Sequence, residues 1–217
     1  MTVTTLTAPF RRPAFAFPFP SPALAAGAYV GAWIVGLTAF GTGPGANATA
    51  TEVAAWYADH RLTSVLQSIS VHGVAALALL GVLVAAHRSV RSNRIALAAG
   101  MAAVALSIVQ LGLGVGRSAW STGTMTSDLV DAIDRLDGLK MFALAVMIGT
   151  AVRGLRSVGL VGRPMAVTGL FATVALAVSG AGYLLDVAPL EAAAFVSLPL
   201  LLVWVGTLGV RVARTAR

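Results

Sequence analysis

Residues 62–94 constrain this chain more than any other stretch. They read LTSVLQSISVHGVAALALLGVLVAAHRSVRSNR: a polar start, a long apolar run holding one histidine, and an abrupt stop at a cluster of arginines. From 64 to 86 the run is about 23 residues long, and at ~1.5 Å per residue it crosses a ~30 Å hydrocarbon core with a little length to spare. It reads as one membrane span with an orientation signal at its end. Other apolar runs repeat the plan, giving spans at 23–40, 64–86, 95–116, 138–155, 165–185 and 192–210. The expected fold is all-α: a polytopic membrane protein built as a bundle of six transmembrane helices, with a short extracytoplasmic amphipathic helix.

Composition supports that class. Of the 217 residues 58% are hydrophobic and 11% charged, too little polar material to coat a soluble globule of this size. The absence of cysteine removes disulfide frameworks, thiolate zinc sites, iron–sulfur ligation and cysteine nucleophiles. The net charge of +7 would suggest nucleic acid in a soluble protein. Here the basic residues sit at the ends of apolar runs, where membrane orientation explains them, so no nucleic-acid partner is expected. Fourteen of the fifteen basic residues are arginine, which, with the excess of Ala, Gly and Val, suggests a GC-rich bacterial gene.

The chain divides into a Pro/Phe-rich cytoplasmic tail at 1–22 and a transmembrane domain at 23–217. Five prolines in the tail argue for extended or disordered chain, and no uninterrupted apolar core or small-residue cleavage site follows Arg11 and Arg12, so it does not read as a signal peptide. The first span carries Gly27, Gly31 and Gly36, which would let another helix approach closely. GTGPG at 41–45 breaks the helix. Residues 51–61 then read as the amphipathic helix, with Thr51 as N-cap and with Trp56 and Tyr57 suited to the headgroup layer. Asn47 opens a glycosylation-type triplet that is idle in a bacterium. A tight basic turn at 87–94 joins the second and third spans as a hairpin. Asp128, Asp131 and Asp134 fall on one side of a short polar helix expected at the surface.

Orientation is legible from charge. Eleven arginines (11, 12, 88, 91, 94, 153, 156, 163, 211, 214, 217) and no acid occupy the segments before the first span and after the second, fourth and sixth, while all eight acidic residues lie in the opposite loops. The positive-inside bias places both termini in the cytoplasm of a bacterial cytoplasmic (inner) membrane protein, and an even span count agrees.

Polar side chains within apolar spans are expensive and point to function. Ser64, Ser68 and His72 follow an i, i+4, i+8 spacing on the second span with Gln67 beside them. Ser107, Gln110, Gly114 and Arg117 make a stripe on the third. Asp137 and Lys140 can pair across one turn at the start of the fourth, and Ser179, Tyr183 and Asp186 line the end of the fifth. All belong to the outer half, whereas the inner halves carry almost nothing polar beyond Thr150. The candidate pocket is therefore lined by Gln67, Ser68, His72, Gln110, Arg117, Asp137, Lys140, Tyr183 and Asp186. A polar track that stops halfway disfavours a constitutive ion pore. For His72 the plain alternative is a bond to a neighbouring helix; for Lys140 it is an ion pair with Asp137; Arg117 could clamp Asp186 or Glu191.

No catalytic or cofactor motif accompanies these residues. His60 and His87 sit at opposite interfaces, so His72 lacks a partner for haem, and the acidic loops match no tight metal spacing. Neither metal nor cofactor is expected, and no hydrolase, P-loop or zinc-protease signature occurs. The stretches AAWYADHR (54–61), RLDGLK (135–140) and SGAGYLLD (179–186) resemble a bacterial six-span membrane family, best represented in actinobacteria and catalogued as a domain of unknown function. The resemblance implies a six-helix bundle and supplies no activity or site residues. The expected function is a small transporter or a binding or accessory subunit with an outward-facing polar pocket. The alternative is an intramembrane enzyme acting on a lipid or quinone headgroup from the outer leaflet. Membrane lipids are the expected partners, with another membrane subunit or a second copy of the chain as further options.

Overall fold

In a computed structural model of the chain, residues 21–41, 43, 44, 48–90, 93–119 and 123–215 are described. The expected tail falls almost wholly outside them, as do Asn47 and Arg91, Arg11, Arg12 and Arg217. The described residues are helical, with no strand among them, and six helices are long and apolar enough to cross a membrane. The protein is a multi-pass membrane protein of the all-α class.

Helix α1 (Pro22–Ala39) begins at Ser21, whose hydroxyl accepts the Leu24 amide at 3.1 Å, with proline in the first turn where no donor is needed. Helix α2 (Ala50–Asp59) is the short amphipathic element. Its N-cap is Thr49, not Thr51: the Glu52 amide donates to the Thr49 hydroxyl, and the Glu52 carboxylate accepts the Thr49 amide at 2.7 Å, a reciprocal box that satisfies two end groups. That contact holds the Glu52 carboxyl below its ordinary range. The next span is one rod in three parts, α3 (Arg61–Ser68), a π-helical turn at Ile69–Val74 and α4 (Ala75–Val90). Helix α5 (Arg94–Ala119) follows, capped by Asn93, whose side-chain oxygen accepts the Ala96 amide at 3.0 Å.

Helix α6 (Gly123–Ser157) corrects the sequence reading. The polar stretch with Asp128, Asp131 and Asp134 is continuous with the fourth span in one helix of 35 residues. At 1.5 Å per residue this is about 50 Å, longer than the hydrocarbon core, so its first turns rise beyond the apolar layer. Asp128 and Asp131 are exposed as expected, whereas Asp134 is half-buried and Ile133 turns inward. The α6 C-terminus is a Schellman motif: Gly159 is left-handed at φ 76, its amide donates to the Arg156 carbonyl, and the Leu160 amide donates to the Leu155 carbonyl at 3.0 Å. Helix α7 (Arg163–Leu185) closes in the same style, with Asp186 left-handed at φ 55. After the short α8 (Ala188–Glu191), α9 (Ala194–Thr215) completes the bundle. Pro199 sits in the second turn of α9 rather than at its middle, so it does not break the span centrally.

Helix α6 is the hub, packing most extensively on α7 and α5, while α1 packs against α9 and α4. Every helix end that carries Arg88, Arg94, Arg153, Arg156, Arg163, Arg211 or Arg214 gathers at one end of the bundle. All the acidic residues belong to the other. Near the arginine-rich end the core is apolar, filled by Val82, Met147, Ile148, Trp204, Val205 and Leu208. Of the first-span glycines, Gly36 meets Ser70 and Val71 closely, as small-residue packing requires. Gly27 and Gly31 have nothing within 4 Å of where a side chain would begin, and so pack no described helix.

Candidate functional site

The acidic half of the bundle holds the buried polar residues, and they form three linked groups. At the centre is Lys140, about 20 Å along α6 from Arg153 by helical rise. Its ammonium pairs with Asp137 one turn earlier and donates to Gln110 Oε1 on α5 at 2.8 Å. The Gln110 amide nitrogen donates to the Ile133 carbonyl at 3.1 Å, which fixes the orientation of that side chain. The third direction from the ammonium faces the Trp33 ring of α1, 5.8 Å away at its centroid. The Lys140 side chain is 5% exposed and that of Asp137 20%, so both members of the pair are largely withdrawn from the surface. Buried charges this deep persist because each is paired and hydrogen-bonded.

His72 lies within electrostatic reach of Lys140, Asp137 and Arg117. It lies in the π-helical turn, where an extra residue is accommodated and the faces of α3 and α4 are put out of register. Its Nδ1 is buried and has no hydrogen-bond partner among the described residues. A ring nitrogen is a donor or an acceptor in every protonation state, so this atom lacks a contact that burial makes valuable.

The second group is built where α2 crosses α5 and α6. The Arg117 guanidinium lies 3.9 Å from the centroid of the Tyr57 ring and donates to the Ser64 hydroxyl at 3.5 Å. The Ser118 hydroxyl lies 3.1 Å from both that hydroxyl and the Gly114 carbonyl. Tyr57 is therefore buried under α2 rather than free in the headgroup layer, and Trp56 stacks on His60 with ring centroids 4.5 Å apart. Burial pushes the Tyr57 phenol above its ordinary value, with the Arg117 charge opposing. Ser68 is buried against Gly114, and Gln67 donates to the Gly41 carbonyl at 2.5 Å, tying the loop after α1 to α3.

The third group lies between α7 and α9. Ser179 and Ser197 approach within 3.4 Å, both fully buried. Tyr183 is half-buried and within electrostatic reach of Asp137, Asp134 and Glu191. Asp186 is exposed, its backbone serving as the left-handed cap of α7. Two glycines bring α7 onto the central pair: a side chain begun at Gly138 would meet the Gly180 carbonyl at 2.9 Å, and one begun at Gly180 would meet the Gly138 carbonyl at 2.9 Å. Only the lack of side chains allows this crossing.

Of the candidate residues, Asp137 and Gln110 are thus both joined to Lys140, with His72 within electrostatic reach. Arg117 belongs with Tyr57 and Ser64, while Gln67, Ser68 and Asp186 make local packing and capping contacts. The candidate pocket read from the sequence did not include Trp33, Tyr57, Ser118 or the Ile133 carbonyl. Tyr57 carried a signal, since it lies four residues after the buried Val53 on one helical face. The cation–aromatic contacts of Trp33 and Tyr57 carried none. Among the described residues no group of three or more His, Asp or Glu side chains is arranged to hold a metal ion. Compared with known proteins, the chain matches no family model, no curated protein and no solved structure.

Proposed function

We propose that this multi-pass protein resides in a bacterial cytoplasmic membrane with both termini inside. It acts as a small transporter or a binding or accessory subunit that takes a small polar ligand at the Asp137, Lys140, Gln110 and His72 cluster. Membership of the six-span bacterial family suggested by the three short stretches is part of the same proposal. The observation that carries the functional reading is the buried His72 Nδ1 without a partner among the described residues, set in a π-helical turn within electrostatic reach of the buried Asp137–Lys140 pair. A buried ring nitrogen gains from a polar partner, and π turns occur frequently at functional sites. The charge pattern supports the orientation: the ligand would enter from outside, through the acidic half.

The test is native mass spectrometry of the full chain released from native lipid, comparing wild type with His72→Leu and Lys140→Met. The proposal expects a small polar species retained by wild type and lost in both variants, with His72→Leu at least as heat-stable as wild type because it removes an unsatisfied buried atom. Wild type without any such adduct, together with a His72→Leu variant that is clearly less stable, would contradict it and make the histidine a packing residue.

A further inference from the structure

The arginine-rich end contains a feature that orientation alone does not require. An open crevice of about 460 Å³ lies between the C-terminal turns of α6 and the start of α7, with Arg153 and Arg156 on one wall and Arg163 on the other. That size falls within the range of about 300–1,000 Å³ typical of small-ligand pockets. Its floor is apolar, formed by Val152, Val167 and Leu170. We infer that this crevice binds the phosphate of an anionic phospholipid, with the three guanidiniums around the headgroup and an acyl chain running down α7.

Four observations support that occupant. The three arginines converge from two helices, and none has a hydrogen-bond or ion-pair partner among the described residues. No acidic residue occurs between Lys140 and Leu185, so the charge around the crevice is of one sign. The first turn of α7 follows Gly162, which offers no side-chain cap, and its unbonded amides add partial positive charge on the same side. Below the arginines α7 keeps an exposed apolar face, with Val167 48%, Leu170 63% and Val174 57% exposed, aligned for a hydrocarbon chain. The crevice is also held in shape. Arg211 on α9 donates to the Leu160 carbonyl at 3.2 Å, pinning the Schellman turn between the two walls. Arg153 and Arg156 near the end of α6 would by themselves be explained by the helix dipole. Arg163 at the start of α7 would not, because there the dipole opposes a cation.

The experiment is a native mass-spectrometric titration of the detergent-solubilised full chain with dioleoyl phosphatidylglycerol, dioleoyl phosphatidylcholine and inorganic phosphate. Wild type should bind the first phosphatidylglycerol at least ten-fold more tightly than phosphatidylcholine, since each guanidinium near an anionic headgroup contributes roughly a five-fold factor. The combined variant Arg153→Gln, Arg156→Gln, Arg163→Gln should lose that preference. A control with the same charge change at the same end, Arg88→Gln, Arg94→Gln, Arg214→Gln, should keep it. Filling the crevice with Val167→Trp, which leaves every charge in place, should also weaken the first lipid. Equal binding of both lipids by wild type, or equal loss in both triple variants, would overturn the assignment and leave only diffuse surface charge. Inorganic phosphate competing as well as the lipid would overturn it in favour of a free-anion site.

Discussion

The two ends of the bundle solve opposite problems with the same helices. Toward the arginine-rich end the charges are on the outside and the interior is apolar, with Met147, Ile148, Trp204 and Val205 nearly or fully buried. Toward the acidic end the interior itself is polar: Gln110, Lys140, Ser64, Ser118 and Ser179 are buried there, and the helices close over them through glycine. A bundle meant only to hold together would be expected to look like the first half throughout, since apolar side chains pack without needing partners. The second half costs stability at each charged group, and that cost marks where specific recognition is built in.

The comparison can be broken most forcefully at Lys140. Lys140→Met leaves the Asp137 carboxylate without its cation, and we expect a loss of about 3 kcal/mol in urea or mild-detergent unfolding. Adding Asp137→Leu should recover most of it, because removing both charges together avoids an unpaired one. Single and double variants of equal stability would place the pair in a fully hydrated setting.

Next comes the glycine crossing. Gly180→Leu should cost about 2–3 kcal/mol, because its side chain would begin against the Gly138 carbonyl. Gly27→Leu in α1, which has open space around it, should change thermal stability by less than about 0.5 kcal/mol.

A smaller effect is expected at Arg117. Arg117→Met should cost about 1–2 kcal/mol through loss of its desolvated contact with Tyr57. The phenol offers a separate readout by pH. Its value in the folded protein is raised above 10.0, so its contribution is fully present below that pH and is lost as pH rises through the folded value. Alkaline unfolding between pH 9 and 12 should therefore be shallower in Tyr57→Phe than in wild type. The mildest change is Thr49→Ala, worth about 1 kcal/mol of local stability, read by hydrogen exchange across α2. Exchange unchanged there would show that Val53 and Tyr57 alone seat this helix.

Much of this arrangement was written in the chain because lipid imposes a severe rule: backbone groups must be satisfied within each segment, so long apolar runs have to become helices. The six spans followed from that rule, and apart from the start of the fourth their ends shifted by only a few residues. The Asp137–Lys140 pair was legible because residues three apart share a face. Two features were not. The change from polar to apolar at residue 138 looked like a boundary, yet the aspartates at 128, 131, 134 and 137 already keep helical spacing, and the backbone continues through them. The π turn at His72 has no residue signature, since no proline marks it. Ser70, donating to the Ala32 carbonyl at 2.7 Å, and Val71 against Gly36 show that contacts with α1 accompany it. Trp33 and Tyr57 likewise join the site through tertiary packing, which spacing along one helix does not encode.

The most direct measurement is a structure of the full chain in native lipid, resolved well enough to place atoms around His72. A ligand site requires a non-protein polar atom within about 3.2 Å of His72 Nδ1, in contact with the Asp137 side of the ion pair. Nδ1 bonded to a neighbouring helix, with Asp137 and Lys140 closed on each other and no foreign density beside them, would make the cluster helix-to-helix glue and contradict the proposal.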